Sequence, residues 1–273
     1  MTASQNDKAA AFQTLHQQPR AFVIANAWDA GSAQLLAGLG FPAIATSSAA
    51  AAGTLGRQDG RITRDEALAH ARAIVAAVDV PVSADLENGF DHTPAGVAET
   101  IRLAAQAGLA GGSIEDYSGD PSRPIYDFDR AVERVVAAVA AAKSLSLPFT
   151  LTARCENFLH GRPDLDDTIK RLQAFEKSGA DVLFAPGLPD LSAVRAVCAS
   201  VSKPVNFMVG IPGHSFSVAE LQEAGVRRIS LATSLYRAAM SGLYQAAVEV
   251  KDRGTFEFLN GLVSPKELGR FLR

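Results

Sequence analysis

Short apolar runs recur along this chain, and four of them are introduced by a glycine that follows an amphipathic stretch. The pattern is seen in Gly40-Phe41-Pro42-Ala43-Ile44-Ala45 and Gly179-Ala180-Asp181-Val182-Leu183-Phe184, and returns at Gly108 and Gly225. Glycine just past a helix tolerates the left-handed conformation that ends it. The apolar runs predict eight strands, near 22–26, 43–47, 81–86, 111–115, 149–153, 181–185, 204–208 and 227–231. Being apolar throughout rather than alternating, they read as parallel strands buried on both faces.

The segments between carry helix signals. Thr63 with Glu66, and Ser217 with Glu220, have the spacing of capping boxes, and Thr93-Pro94 is a start signal. Leu68, Ala71, Val75 and Val78 fall on one helical face, as do Val97, Ile101 and Ala105, and Ile169, Leu172 and Phe175. Eight strands alternating with helices predict an α/β fold, a (β/α)8 TIM barrel. A doubly wound sheet is the alternative, but no G-x-G-x-x-G follows the first strand. One domain over 1–273 is expected. It comprises a helical lead-in over 1–15, a barrel over about 20–250 and a C-terminal helical extension over about 254–273. Phe256, Phe258, Leu259, Leu268, Phe271 and Leu272 of that extension have no place in a completed barrel, which suggests packing on a neighbouring subunit.

Composition narrows the function classes. The 273 residues are 48% hydrophobic and 20% charged, with a net charge of −3 and no basic block, so nucleic acid is not an expected partner. No apolar run has the length of a membrane span, and residues 1–8 lack the form of a signal peptide. The two cysteines, Cys155 and Cys198, suit a reducing cytoplasm. Cys155, next to Arg154 on a strand, is expected to point into the barrel–helix layer and to be inert.

Candidate chemistry lies at the C-terminal strand ends, which face the active site in this fold. Strand 1 ends in Asn26-Ala27-Trp28-Asp29, strand 2 in Thr46-Ser47-Ser48, and strand 3 in Asp85 with Glu87 two residues on. Strand 4 ends in Glu115-Asp116, strand 5 in Arg154 with Glu156 beyond it, and strand 7 carries Asn206. On an extended segment Asp85 and Glu87 face the same side. Acidic residues can end strands simply as turn formers. Asp59, Asp85, Glu87 and Glu115 together, however, repel one another unless positive charge joins them. Mg²⁺ held partly through water suits such an oxygen-rich set, with Mn²⁺ as the alternative. Arg154 offers a fork that matches a carboxylate. Ser47, Ser48 and Ala49 offer hydroxyl and backbone N–H donors. The implied ligand is a small anion able to chelate a metal, such as a 2-oxo acid.

These residues carry a resemblance. Ser83-Ala84-Asp85-Leu86-Glu87-Asn88-Gly89-Phe90, Ser113-Ile114-Glu115-Asp116 and Thr152-Ala153-Arg154-Cys155-Glu156 resemble, in order, the metal segment, I-E-D strand and A-R-x-[DE] strand of the isocitrate lyase/phosphoenolpyruvate mutase superfamily. Ser47-Ser48-Ala49 and Leu55-Gly56-Arg57-Gln58-Asp59 are similar to its substrate loop and first metal-shell acid. The resemblance implies a Mg²⁺-dependent enzyme that makes or breaks a C–C or C–P bond beside a carbonyl through a metal-stabilised enolate. It also implies that Asp85 touches the metal, that Asp59, Glu87 and Glu115 hold its waters, and that Arg154 binds substrate or developing charge. Family members are usually tetramers that exchange a C-terminal helix, so a homo-oligomer, dimer or tetramer, is expected.

One loop departs from the family. The lyases carry K-[KR]-C-G-H after the I-E-D strand and the mutases a lysine and an asparagine. Here Tyr117-Ser118-Gly119-Asp120-Pro121-Ser122-Arg123-Pro124-Ile125-Tyr126 has none of these. That turns the expectation away from isocitrate cleavage and phosphoryl rearrangement, towards a C–C lyase or decarboxylase of a small 2-oxo acid. The alternatives are a phosphonopyruvate-type C–P hydrolase and a silent 2-oxo acid binding protein. Tyr117 is the candidate proton donor or substrate contact. Trp28, Ser47, Ser48, Ala49, Asp85, Arg154 and Asn206 are the candidate substrate-binding residues. His92 and His214 are weaker acid–base candidates, while His16, His70 and His160 read as ordinary. Arg227 and Arg228 read as members of an ion pair on the barrel's lower face.

Overall fold

The computed structural model describes residues 3–272. Eight parallel strands close into a barrel in sequence order: β1 (Phe22–Ala27), β2 (Ile44–Thr46), β3 (Val82–Asp85), β4 (Gly111–Glu115), β5 (Thr150–Arg154), β6 (Val182–Phe184), β7 (Val205–Met208) and β8 (Arg228–Ser230). The closing pair sets Phe22 against Arg228 and Ile24 against Ser230. The chain is an α/β (β/α)8 TIM barrel, as its hydrophobic pattern predicts.

Eleven α-helices accompany the strands. They are α1 (Gln5–Gln17), α2 (Ala30–Gly38), α3 (Ser48–Thr54), α4 (Arg64–Ala77), α5 (Pro94–Gln106), α6 (Phe128–Lys143), α7 (Leu165–Ser178), α8 (Leu191–Ser200), α9 (Val218–Glu223), α10 (Ser234–Arg253) and α11 (Pro265–Leu268). Thr63 and Ser217 each accept from the backbone three residues on and form the expected capping boxes of α4 and α9. At the end of α7, Gly179 takes φ 102° and its N–H reaches back to the Phe175 and Glu176 carbonyls, the conformation only glycine adopts cheaply. The main core lies between strands and helices, where Ile44, Leu68, Ile101, Leu151, Leu172 and Phe175 are buried. Cys155 is fully buried there, and burial raises its thiol pKa well above the ordinary value.

The lead-in helix α1 has a structural task that its sequence does not announce. Phe12 and His16 are buried against Phe22, with ring centroids 4.7 Å apart between Phe12 and His16 and 5.1 Å between His16 and Phe22. They close the N-terminal end of the barrel. Gly111 makes room for them: a Cβ there would meet the Thr150 carbonyl at 2.5 Å and the Phe12 ring at 2.9 Å.

The other terminus is more open. Of the 20 residues of α10 only Glu249 is buried. Glu249 accepts from Thr255 Oγ1 at 2.7 Å and from Phe258 N–H at 3.1 Å, which turns the chain back after the helix. Leu243, Tyr244, Phe256, Leu259 and Leu262 stay exposed, while Phe271 lies across Gly38 of α2. No helix among the described residues is long and apolar enough to cross a membrane.

Candidate active site

The C-terminal mouth of the barrel opens into a cavity of about 1320 Å³. Asp85, the last residue of β3, is its most heavily bonded acid. Its Oδ2 accepts from the Ser48 N–H at 3.2 Å and the Ser48 hydroxyl at 2.9 Å. Its Oδ1 accepts from Arg154 Nη1 at 3.0 Å and from the Glu87 N–H at 3.3 Å.

Glu87 arrives by a different route from the one expected. β3 ends at Asp85, and Glu87 sits in a turn with φ 48°, so strand alternation does not place it. The turn is fixed by backbone pairing with β4, in which Glu115 N–H donates to the Glu87 carbonyl at 3.0 Å. Its carboxylate still lines the cavity, and its Oε1 is buried without a hydrogen-bond partner. Burial, then the charges of Asp85 and Asp59, push its pKa up to about 8. Non-glycine residues in the left-handed region are uncommon and cluster where function requires them. Asp59 stands on the exposed loop between α3 and α4 and reaches the same cavity, its pKa raised by burial of its carboxyl and by Asp85.

Arg154, the last residue of β5, gathers the other acids. Its Nη2 is 3.2 Å from Glu115 Oε2 and its Nε donates to Glu156 Oε1 at 2.9 Å, while Nη1 holds Asp85. Burial pulls the guanidinium pKa down, but these three carboxylates more than offset it and leave it raised. Glu115 is raised well above its ordinary value, chiefly by burial, with Arg154 acting against that rise.

Around this cluster the fold sets several braces. Asp116 is buried beneath the site, accepting from the Glu156 N–H at 2.8 Å and pairing with Arg171 at 3.1 Å, so it is a structural pin. The loop after β4 is a compact hairpin: Ser118 N–H donates to the Pro124 carbonyl at 2.7 Å, and Tyr126 N–H to the Asp116 carbonyl at 2.9 Å. At its base Tyr117 stacks face to face on His160, with centroids 3.8 Å apart and planes 6° apart. His160 Nε2 lies 3.8 Å from Glu156 Oε2, and burial lowers its pKa.

The structure brings Asp59, Asp85, Glu87, Glu115, Arg154, Tyr117, Ser47, Ser48, Ala49 and Asn206 to one cavity, and leaves Trp28 outside its lining. Trp28 packs edge-on against Tyr236 at 5.8 Å, and its carbonyl bonds His70. Ser47 and Ser48 are already engaged: Ser47 caps α3, and Ser48 gives both its N–H and its hydroxyl to Asp85. They order the site more than they offer free donors. His92 reaches the rim, bonded to the Tyr126 hydroxyl at 2.6 Å, whereas His214 lies outside the lining.

His160 and Arg228 were missed in the sequence, and Glu156 was read there only as a strand-end acid without a role. The spacing of Glu156 and His160, four apart after a barrel strand, was the available signal for those two. Among the described residues Arg227 and Arg228 form no ion pair with an acid. Alternation along β8 turns Arg228 into the barrel with Ser230, where it bonds the Asn206 side-chain oxygen, while Arg227 bonds the nearby Gly225 and Val226 carbonyls.

The donor set fits a hard cation. Asp59, Asp85, Glu87, Glu115 and Glu156 share the mouth with Arg154, and Glu87 Oε1 is buried there without a hydrogen-bond partner. Among the described residues no three acids or histidines converge tightly enough to form an all-protein cage.

Comparison with known proteins agrees with this geometry. A crystal structure of a protein from Burkholderia cenocepacia, described as a candidate lyase/mutase, superposes with a TM-score of 0.96 at 52% identity, covering 98% of this chain and 96% of that one. An uncharacterised protein of Mycobacterium tuberculosis is 32% identical over 243 residues, 88% of this chain and 89% of its own length. The 2-methylisocitrate lyase of Escherichia coli is 31% identical over 220 residues, 77% of this chain and 73% of that enzyme. Homologues at greater distance include lyases and decarboxylases of small carboxylates. The phosphoenolpyruvate phosphomutase family matches residues 12–251, and the chain belongs to this phosphoenolpyruvate mutase/isocitrate lyase superfamily.

Proposed function

We propose that this barrel is a Mg²⁺-dependent lyase or decarboxylase acting on a small 2-oxo acid. The observation that carries the reading is that Asp59, Asp85, Glu87 and Glu115 share one cavity with Arg154, with Glu87 Oε1 left without a partner. Asp85 would touch the ion and the other three acids would hold its waters. When bound, the ion would act as a Lewis acid on the keto oxygen.

The chain's own residues supply the rest. Arg154 fixes the position of three acids and presents its charge where negative charge develops on the substrate. The Tyr117 hydroxyl, on a ring held flat by His160, is the proton carrier at the mouth. Asn206 contributes an amide from deeper in the cavity. The first residues of the hairpin, Tyr117 to Pro121, line one side of the cavity.

The test is to incubate the purified protein with Mg²⁺ and a panel of 2-oxo acids, with EDTA controls, and to follow substrate loss. Turnover that EDTA abolishes is expected. Phosphate release from phosphonopyruvate would point to C–P hydrolysis, and binding without turnover of any substrate would point to a silent receptor.

The same reading includes a cytoplasmic homo-oligomer, dimer or tetramer, that exchanges its C-terminal helical segment. Its support is the apolar face of α10 and the following tail, with Leu243 60%, Tyr244 70% and Leu262 61% exposed. Scattered exposed leucines are ordinary, but a contiguous set along one helix and its tail marks an interaction surface. Leu243→Glu should shift the protein to a smaller species on size exclusion.

A further inference from the structure

Beneath the acid ring the barrel interior is unusually polar. Counting down the inward positions from Asp85, Glu115 and Arg154 gives Ser83, Ser113, Thr152 and Thr150, with Asn206, Ser230 and Arg228 opposite. Barrels of this fold ordinarily fill that space with branched aliphatic side chains. The hydroxyls of Thr150 and Thr152 are buried and have no hydrogen-bond partner.

Arg228 lies in this lower layer, and only 5% of it is exposed. Its Nε donates to Asn206 Oδ1 at 2.8 Å, and its Nη1 lies 3.5 Å from His16 Nε2. His16 Nδ1 lies 2.8 Å from the Phe12 carbonyl, which assigns the ring proton to Nδ1 and leaves Nε2 as an acceptor. Burial, then Arg228 itself, push His16 down to about 3, so the ring is neutral. Burial and Arg154 lower Arg228 only to about 9, so it stays charged at neutral pH. Both of its partners are therefore uncharged, and among the described residues no carboxylate pairs with it. Buried charges are normally paired. The guanidinium also lines the cavity that holds Asp85 and Arg154, so a ligand entering at the mouth has a continuous path to it. Asn206 Nδ2 donates to Ser230 Oγ at 3.0 Å, which leaves the Ser230 hydroxyl proton free to donate elsewhere.

We propose that Arg228, with Ser230 beside it, forms an internal subsite that binds a carboxylate group. Its occupant is either the far end of a dicarboxylate whose near end lies at Asp85 and Arg154, or a free small carboxylate. The first source rests on the function proposed above. The second does not.

The experiment uses full-length protein in EDTA, melted across a formate titration with chloride at matched ionic strength as control. Saturable stabilisation by formate but not chloride is expected in the wild type. In Arg228→Met the apparent formate affinity should weaken roughly tenfold or more. The variant should fold, because replacing a buried unpaired charge by an apolar side chain is commonly neutral or stabilising. Asn206→Asp gives a second route: a built-in carboxylate beside Arg228 should raise the formate-free melting temperature and abolish the formate effect. To separate the sources, a 2-oxo dicarboxylate and its 2-oxo monocarboxylate analogue are compared with Mg²⁺ present. If the far end is the occupant, Arg228→Met loses the preference for the dicarboxylate. If the occupant is free, that preference is unchanged and only the formate effect disappears. Equal responses to formate and to both 2-oxo acids in the wild type and both variants would overturn the subsite, whatever the fate of the enzyme assay.

Discussion

Arg154 Nη1 donates to Asp85 Oδ1 at 3.0 Å, so the acid best placed to meet a metal is also held by the guanidinium at the end of β5. The same guanidinium touches Glu115 and Glu156, and its side chain is only 13% exposed. Arg154→Lys keeps the charge but loses the planar fork whose Nη1, Nη2 and Nε reach Asp85, Glu115 and Glu156. Its turnover should fall by about 10²-fold or more, in the range seen when a directed donor to developing charge is lost. Arg154→Met strands three carboxylates and should cost about 3–5 kcal/mol of stability at neutral pH. Urea unfolding of the apoprotein would measure the second effect, and an unchanged midpoint would refute it.

Glu87 predicts a pH dependence with a definite sign. Its pKa rises from the ordinary 4.5 to about 8, first through burial and then through Asp85 and Asp59. The folded state therefore holds a proton that the unfolded chain has lost, and stability falls as pH rises across that interval. His16, pushed from 6.5 down to about 3, acts with the opposite sign below pH 6.5. The window from pH 6.5 to about 8 is thus free of that opposing effect. In EDTA the wild-type melting temperature should fall through this window more steeply than that of Glu87→Gln. Mg²⁺ should reduce the fall. Parallel slopes for the two proteins would sink the assignment.

The Tyr117–His160 stack separates two roles of one ring. Tyr117→Phe keeps the stack and should leave the melting temperature unchanged, while turnover drops by about 10²-fold if the hydroxyl carries the proton. Tyr117→Ala removes the stack as well, a contact of about 0.5–1.5 kcal/mol, and should lower the melting temperature. Full activity in Tyr117→Phe would remove Tyr117 from the chemistry.

Arg134 on α6 supports the site from behind. It is buried, donates to the Asp91 carbonyl at 2.7 Å and to the Asn88 carbonyl, and lies under the Tyr126 ring at 4.4 Å. It holds the turn in which Glu87, Gly89 and Phe90 all have positive φ. Arg134→Met leaves two carbonyls without their donor and should cost about 1–3 kcal/mol. A weaker Mg²⁺-dependent melting shift should accompany the loss, since Glu87 rides on the same turn.

Much of this was legible in the chain. The eight strands appear at the apolar runs, four of them after Gly40, Gly108, Gly179 and Gly225, and Thr63, Thr93 and Ser217 start helices because their side-chain oxygens sit at capping positions. Asp59, Asp85, Glu87, Glu115 and Arg154 were legible as a group because strand ends of a barrel converge. What escaped notice depends on side-chain direction. Ser47 reads as a ligand donor, yet it caps α3, a helix hidden in the alanine run after it. Glu87 reads as a strand residue, yet it turns through the left-handed region. Arg228 reads as a surface residue because a one-residue change of register along β8 decides between helix layer and interior. Local composition does not encode that choice.

The helix α1 has a consequence of its own. With Phe12 and His16 in place, the interior is a well with one entrance, and Arg228 lies near its base. A chain trimmed of residues 5–17 would be a tube instead. Water would then enter from below and hydrate the guanidinium, and its need for a negatively charged guest would fade. The first thirteen-residue helix, far in sequence from every acid at the rim, thereby sets the dielectric of the space those acids look down into.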